Sequence, residues 1–234
     1  MKKIALLIVV AAVAVVVLAE LFLPSFAART IQEGLAASTE ATSLTVDTKA
    51  TPAIKMLGGY FDELTIKAQD AELRELRFQE LDIHGKDIKA NISSLALGLG
   101  AAVNSSQELQ FLAVMNERDL EAYLSDKLPD VENFKVEITP DDIITSGDVE
   151  LLGKKIKVDM HGNVQENAAM LMYHMTKIEV NNSSLGSQII GNLFGDIMLF
   201  DLQNISGSTT LDSVKQEAGQ LVIKASSKNT APNL

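Results

Sequence analysis

Three histidines, His84, His161 and His174, could in principle bind a metal or move a proton. They stand far apart, without the close spacing of a metal-ligand set. His84 and His161 each precede a glycine and read as turn residues. His174 falls in a strand and points away from Tyr173, as a surface or interface histidine would. The acidic candidates are Asp141-Asp142 after Pro140, Asp62-Glu63 and Asp196. Paired carboxylates can share acid and base work, but cap and turn positions account for each of these. There is no Gly-x-Ser-x-Gly elbow, phosphate loop or dinucleotide fingerprint. The absence of cysteine excludes a thiol nucleophile, a zinc–thiolate site and a lipid-modified N-terminal cysteine. The expectation is a non-catalytic chain with no catalytic residue, no metal and no cofactor. Asn-x-Ser triplets at Asn91, Asn104, Asn182 and Asn204 matter only in a glycosylating host.

What remains is apolar chemistry. Methionines gather late in the chain, at Met160, Met170, Met172, Met175 and Met198, and their flexible side chains suit adaptable apolar pockets as well as ordinary cores. Along 168–175, Ala169, Leu171, Tyr173 and Met175 share one strand face, while Met170, Met172 and His174 share the other. A strand apolar on both faces is either central between two layers or exposed to lipid. Leu64, Ile66, Phe111, Met115, Leu171, Tyr173 and Met175 are the side chains expected to form a ligand surface. That surface would be carried by sheet and not by a loop.

The elements that position these residues begin with 4–23, apolar except for Glu20. As a helix this stretch rises roughly 30 Å, the thickness of a bilayer core. Lys2 and Lys3 precede it, and basic flanks stay cytoplasmic, so the body is expected outside the cytoplasmic membrane. A cleaved signal peptide competes with an uncleaved anchor. The apolar run exceeds the usual 7–15 residues or so of a signal peptide, and Val17-Leu18-Ala19 is a passable cleavage site. Pro24 starts or bends a further helix reaching about Ala37, whose weak apolar face reads as a stalk.

From Leu44 the period changes to two. Leu44 and Val46 mark a strand, and Thr51-Pro52 opens a short helical turn closed by Gly58-Gly59. Leu64, Ile66 and Ala68 alternate before a turn at Asp70-Ala71-Glu72. Leu76 and Phe78, then Leu81 and Ile83, alternate with a phase slip that suggests a bulge. His84-Gly85-Lys86 reads as a turn before a strand at Ile88, Ala90 and Ile92, and 95–103 as a loop or bulged strand. A strand over 108–115 leads to Asn116, a helix cap with Glu117 and Asp119 in the first turn. Leu120, Tyr123, Leu124 and Leu128 share one face of that helix, and Pro129 ends it. Phe134, Val136 and Ile138, a turn over 139–142, and a hairpin about Gly153-Lys154 follow. A long strand spans 168–180, Ser184 caps a helix through Phe194, and a last hairpin turns at Glu217-Ala218-Gly219.

The fold class is therefore α+β: an N-terminal transmembrane helix, then a curved, mostly antiparallel sheet domain with a few helices. Residues 1–27 form the anchor or signal segment, 28–226 the β-rich domain and 227–234 a disordered tail. Segments 57–66 and 190–199 resemble each other, each with Gly and Phe three residues apart (Gly58 and Phe61, Gly191 and Phe194). Duplication and coincidence both remain open for so short a match. In the duplicated reading each glycine ends a helical turn in the left-handed conformation and each phenylalanine plugs one end of the sheet.

A net charge of −11 argues against nucleic acid and against a general polybasic grip on anionic headgroups. The absence of tryptophan removes the commonest sugar-stacking platform. Several segments follow in a set order: the apolar leader, Leu23-Pro24, Pro52 with Leu57-Gly58 and Tyr60-Phe61, Glu117-Arg118-Asp119-Leu120 with Tyr123-Leu124, and 143–147 followed by the 154–162 hairpin. That order resembles the bacterial LmeA-like phospholipid-binding family. The resemblance spans about 23–225. It implies a likeness to tubular lipid-binding domains of the bactericidal/permeability-increasing type, in which a curved sheet wraps a long helix around a lipid channel. It also implies binding of a phospholipid or other membrane lipid outside the cytoplasm, with an envelope role, and no catalytic residues. A non-catalytic envelope domain with a closed core is the alternative. No protein partner is named by the residues.

Overall fold

A computed structural model describes residues 2–91, 103–151, 153–167, 170–180, 183–185, 196–202 and 208–230. Helix α1 (Lys2–Thr39) runs unbroken through Pro24. It is followed by β1 (Ser43–Lys49), a 3-10 helix (Ala53–Gly58), β2 (Tyr60–Leu73), β3 (Leu76–Ala90) and β4 (Val103–Asn116). Then come α2 (Glu117–Lys127), β5 (Val131–Ile138), β6 (Ile143–Leu151), β7 (Lys154–Asn167), β8 (Met170–Val180) and β9 (Ser183–Leu185). The chain closes with β10 (Ile197–Asp201), β11 (Thr209–Glu217) and β12 (Gln220–Thr230). An apolar N-terminal helix and a curled, mostly antiparallel sheet domain match the expected class.

The strands form two antiparallel sheets. The first has the order β1-β2-β3-β4-β12-β11 and the second β10-β8-β7-β6-β5, with β9 beside β8. Alternation builds them: in β5, Val131, Phe134, Val136 and Ile138 turn inward and their neighbours outward. Helix α2 starts where Asn116, in an extended conformation, accepts a hydrogen bond from the Asp119 amide at 2.9 Å. Two of its carboxylates then cover the outer edge of β5. The Ile138 amide donates to Glu117 Oε1 at 2.8 Å and the Val136 amide to Glu121 Oε2 at 3.3 Å. An edge strand covered this way offers less of a template to another chain. The tip of the β11–β12 hairpin ties the two sheets together, with the Gly219 amide donating to the Ile138 carbonyl at 2.9 Å.

Several local expectations are corrected. His84-Gly85-Lys86 lies in mid-strand, paired with β2 on one side and β4 on the other. Gly85 is there for space: a Cβ would stand 2.3 Å from Ile88 Cδ1 and 2.8 Å from Leu109 Cδ2. Ile88 and Ala90 accordingly belong to the same strand as Leu76. His161-Gly162 is also strand, and the ring of Tyr173 comes within 2.7 Å of where a Gly162 Cβ would be. The chain does not turn at Asp70-Ala71-Glu72. Asp70 takes a positive φ of 50°, shifting the phase so that Ala68 and Ala71 both face inward, and the strand continues to Leu73.

Ser184 sits in the short strand β9 and not at a helix start. The last strand reaches Thr230, pairing Ser227 and Lys228 with Leu109 and Glu108, so the first residues of the expected tail are sheet. The left-handed residue after the 3-10 helix is Gly59, with φ 79°, and not Gly58. Gly191, Phe194 and the segment 95–102 lie outside the described residues.

Candidate functional site

The interior is built from two apolar clusters. In the first, α1 is a core element: Leu23, Ala27, Ile31 and Leu35, four residues apart, form one stripe. Ala27 and Ile31 are buried, and Leu23 and Leu35 pack against the same cluster. The stripe meets Val46, Met56, Phe61, Leu64, Ile66, Ile88, Leu109 and Phe111 from the first sheet. Polar contacts hold its height: the Thr48 hydroxyl donates to the Pro24 carbonyl at 2.9 Å, and the Ala53 amide donates to Glu20 Oε1 at 2.8 Å. The stalk expected over 24–37 is thus a helix packed against the sheet. Its four-residue spacing was the available signal, diluted by the alanines around it.

The second cluster takes Ala68, Phe78, Leu81, Ala113 and Met115 from the far half of the first sheet. It adds Leu120, Tyr123 and Leu124 from α2, then Met160, Leu171, Tyr173, Met175 and Ile178 from the second sheet. Leu44, Ile83, Phe200 and Leu211 pack against both clusters, so the apolar interior is continuous.

The seven side chains singled out from sequence divide between the clusters. Leu64, Ile66 and Phe111 surround the α1 stripe, while Met115, Leu171, Tyr173 and Met175 lie in the second cluster. All seven are buried, from 0% exposure at Tyr173 to 9% at Phe111. Met56, Phe61 and Ile88, which line the same interior, were not among them.

Among the described residues, few polar side chains enter this interior. The Tyr173 hydroxyl lies 3.5 Å from Thr145 Oγ1, which donates to the Met160 carbonyl at 3.3 Å. Burial pushes the Tyr173 phenol up to about 12. Asp119 is 4% exposed and its Oδ2 meets no partner among the described residues. Desolvation raises its pKa, against the lowering effect of Arg118.

The other titratable candidates have structural roles. Asp142 receives the Gly162 amide at 3.1 Å and contacts His161 Nδ1, fastening the 139–142 turn to β7. Asp62 receives the Thr51 amide at 2.6 Å, and His174 Nδ1 meets Asp196 Oδ1 at 2.6 Å near the surface. Among the described residues, no three His, Asp or Glu side chains gather as metal ligands.

A depression of ≈ 670 Å³ lies on the polar face of the first sheet. Its wall carries Lys67, Lys224 and Lys228 alongside Asp82, Glu108 and Asp212, so the charges balance. Thr65 and Lys67 face it, while Leu64 and Ile66 between and beside them face the interior. The chemistry of the buried face is therefore that of hydrocarbon contact, with hydroxyls as the main internal polar groups.

Helix α1 is long and apolar enough to cross a membrane, as either an anchor or a signal sequence would be. The chain matches the family described as LmeA-like phospholipid-binding over residues 17–226. No curated protein and no solved structure matches it.

Proposed function

The chain belongs to the LmeA-like phospholipid-binding family, and from that premise we propose that it is a membrane-anchored, extracytoplasmic lipid carrier. In this reading residues 1–23 stay attached and span the cytoplasmic membrane, with Lys2 and Lys3 on the cytoplasmic side. The body holds or passes a phospholipid or a lipid-linked precursor. Acyl chain is received between the inner sheet faces, against Leu64, Ile66, Phe111, Met115, Leu171, Tyr173 and Met175. The observation that carries this is the pair of apolar clusters, one around the α1 stripe and one around Tyr173, bridged by the partly buried Leu44, Ile83, Phe200 and Leu211. A cavity for a ligand of this kind runs to about 300–1,000 Å³, so the side chains must part to admit one.

The burial of all seven side chains favours a second reading, a closed core in an envelope domain that binds a partner by its surface. Native mass spectrometry of the full chain, purified from its own cells and followed by lipid extraction, separates the two. A stoichiometric phospholipid is expected. A protein that releases none supports the closed core. A native N-terminus at Glu20 or Ala28 would remove the anchor and leave a secreted carrier.

A further inference from the structure

The 3-10 helix Ala53–Gly58 has two faces. Residues three apart eclipse in such a helix. Ala53 and Met56 are buried, while Ile54 and Leu57 are exposed at 49% and 65%. Tyr60, just after it, is 47% exposed. An exposed aliphatic pair beside a tyrosine, at one end of a sheet, is an unusual surface for water.

Its height along α1 indicates what covers it. The Ala53 amide is bonded to Glu20, so the tip stands beside the last turn of the apolar stretch 4–23. At that level α1 itself exposes Leu18, Leu21, Phe22 and Phe26. The tip and this turn of α1 thus expose apolar side chains at the same height along the helix. The Lys89 ammonium lies 5.1 Å from the Tyr60 ring centre. A tyrosine with a lysine at the edge of an apolar band is the pattern of a membrane–water interface.

We infer that the 3-10 helix docks on the bilayer that α1 crosses, with Ile54 and Leu57 at the headgroup–acyl boundary and Tyr60 and Lys89 among the headgroups. The inference rests on α1 spanning the membrane. It places the α1 end of the apolar interior, where Met56 and Phe61 are buried behind the tip, against the outer leaflet.

The chain has no tryptophan, so single tryptophan variants report depth in the full-length protein. It is reconstituted in phosphatidylcholine–phosphatidylglycerol vesicles carrying lipids brominated on the upper acyl chain. Leu57→Trp tests the tip and Leu18→Trp tests the span. Ala122→Trp, exposed on α2, is the distant control. Lys127 of α2 bonds Glu75 at the β2–β3 turn, about 45 Å from the tip along β2. Quenched, blue-shifted emission is expected from Leu57→Trp and Leu18→Trp, and unquenched emission from Ala122→Trp. Leu57→Trp behaving like the control while Leu18→Trp is quenched overturns the docking and leaves the span intact. Leu18→Trp unquenched overturns the span and the docking with it. Tryptophan itself favours interfaces, so a nitroxide at Leu57→Cys, in a chain without cysteine, must show the same lipid exposure; if it reports water, the docking fails.

Discussion

Met175→Trp separates a lipid-receiving interior from a closed one. Met175 is 5% exposed and pairs in register with Gly162. The space above that glycine is already taken by the Tyr173 ring, 2.7 Å from where its Cβ would be. A larger side chain therefore has nowhere to go without displacing neighbours, which costs about 1–3 kcal/mol. For a domain of this size each kcal/mol lowers Tm by about 2–4 °C, so a fall of about 2–12 °C is expected. Met172 lies on the opposite face of the same strand and is half-buried, so Met172→Trp should stay within about 0.5 kcal/mol. Thermal unfolding by circular dichroism and the lipid-to-protein ratio by native mass spectrometry are measured on both variants in detergent. Met175→Trp should lose stability and bound lipid together, and Met172→Trp should lose neither. Wild-type lipid loading in a destabilised Met175→Trp would refute the lipid-receiving interior. An undiminished Tm would refute the packing around Met175.

Phe61, 1% exposed at the head of β2, should cost about 3–5 kcal/mol as Phe61→Ala; urea denaturation against the exposed-site control Phe26→Ala reads this, and a loss under about 1 kcal/mol refutes the plug. Gly59→Ala should lose at least about 1–2 kcal/mol, because φ is 79° and a Cβ would stand 2.0 Å from the Ala90 carbonyl oxygen. Gly58→Ala meets only the Tyr60 ring at 3.3 Å and should lose less than about 0.5 kcal/mol; the same urea titration must rank them in that order. The buried Tyr173 phenol keeps its proton in the folded state after the unfolded chain has lost it, from the ordinary 10.0 to about 12. Folding stability should therefore fall as pH rises through that window, by on the order of 2–3 kcal/mol. Tyr173→Phe should fall less steeply over the same alkaline denaturation series, and equal slopes would show the phenol to be hydrated.

Much of the strand pattern was legible because a two-residue period reports burial directly. β1, β5 and the β11–β12 hairpin follow from Val46, Phe134, Val136 and Leu221 without further help. The α2 start was legible at Asn116 because the side-chain acceptor and the first-turn acids act locally. Gly85 and Gly162 were misread because one letter serves two purposes. A glycine can make a turn, or it can vacate space for Ile88 or Tyr173 arriving from elsewhere, and only the second partner tells them apart. Asp70 and Asp87 likewise take positive φ inside strands, where a carboxylate suggests a turn. Alternation found inward-facing residues for the candidate site, yet it could not assign them to clusters. Leu64 and Tyr173 look alike in sequence, and only the sheet order puts one beside α1 and the other beside Met160.

That sheet order also sets a timetable. β12 pairs with β4 along nearly its whole length, although the whole second sheet is synthesised between them. Until residues 220–230 leave the ribosome, β4 has one bare edge, with its amides and carbonyls open to any passing strand. Local hairpins such as β2–β3 and β6–β7 can close early, but joining β4 to β12 must await the synthesis of β12 and a long loop closure. A nascent or truncated chain ending before Gln220 is thus a molecule with an adhesive rim. The β11–β12 hairpin acts as the clasp that covers this rim and moves the edge of the sheet out to β11.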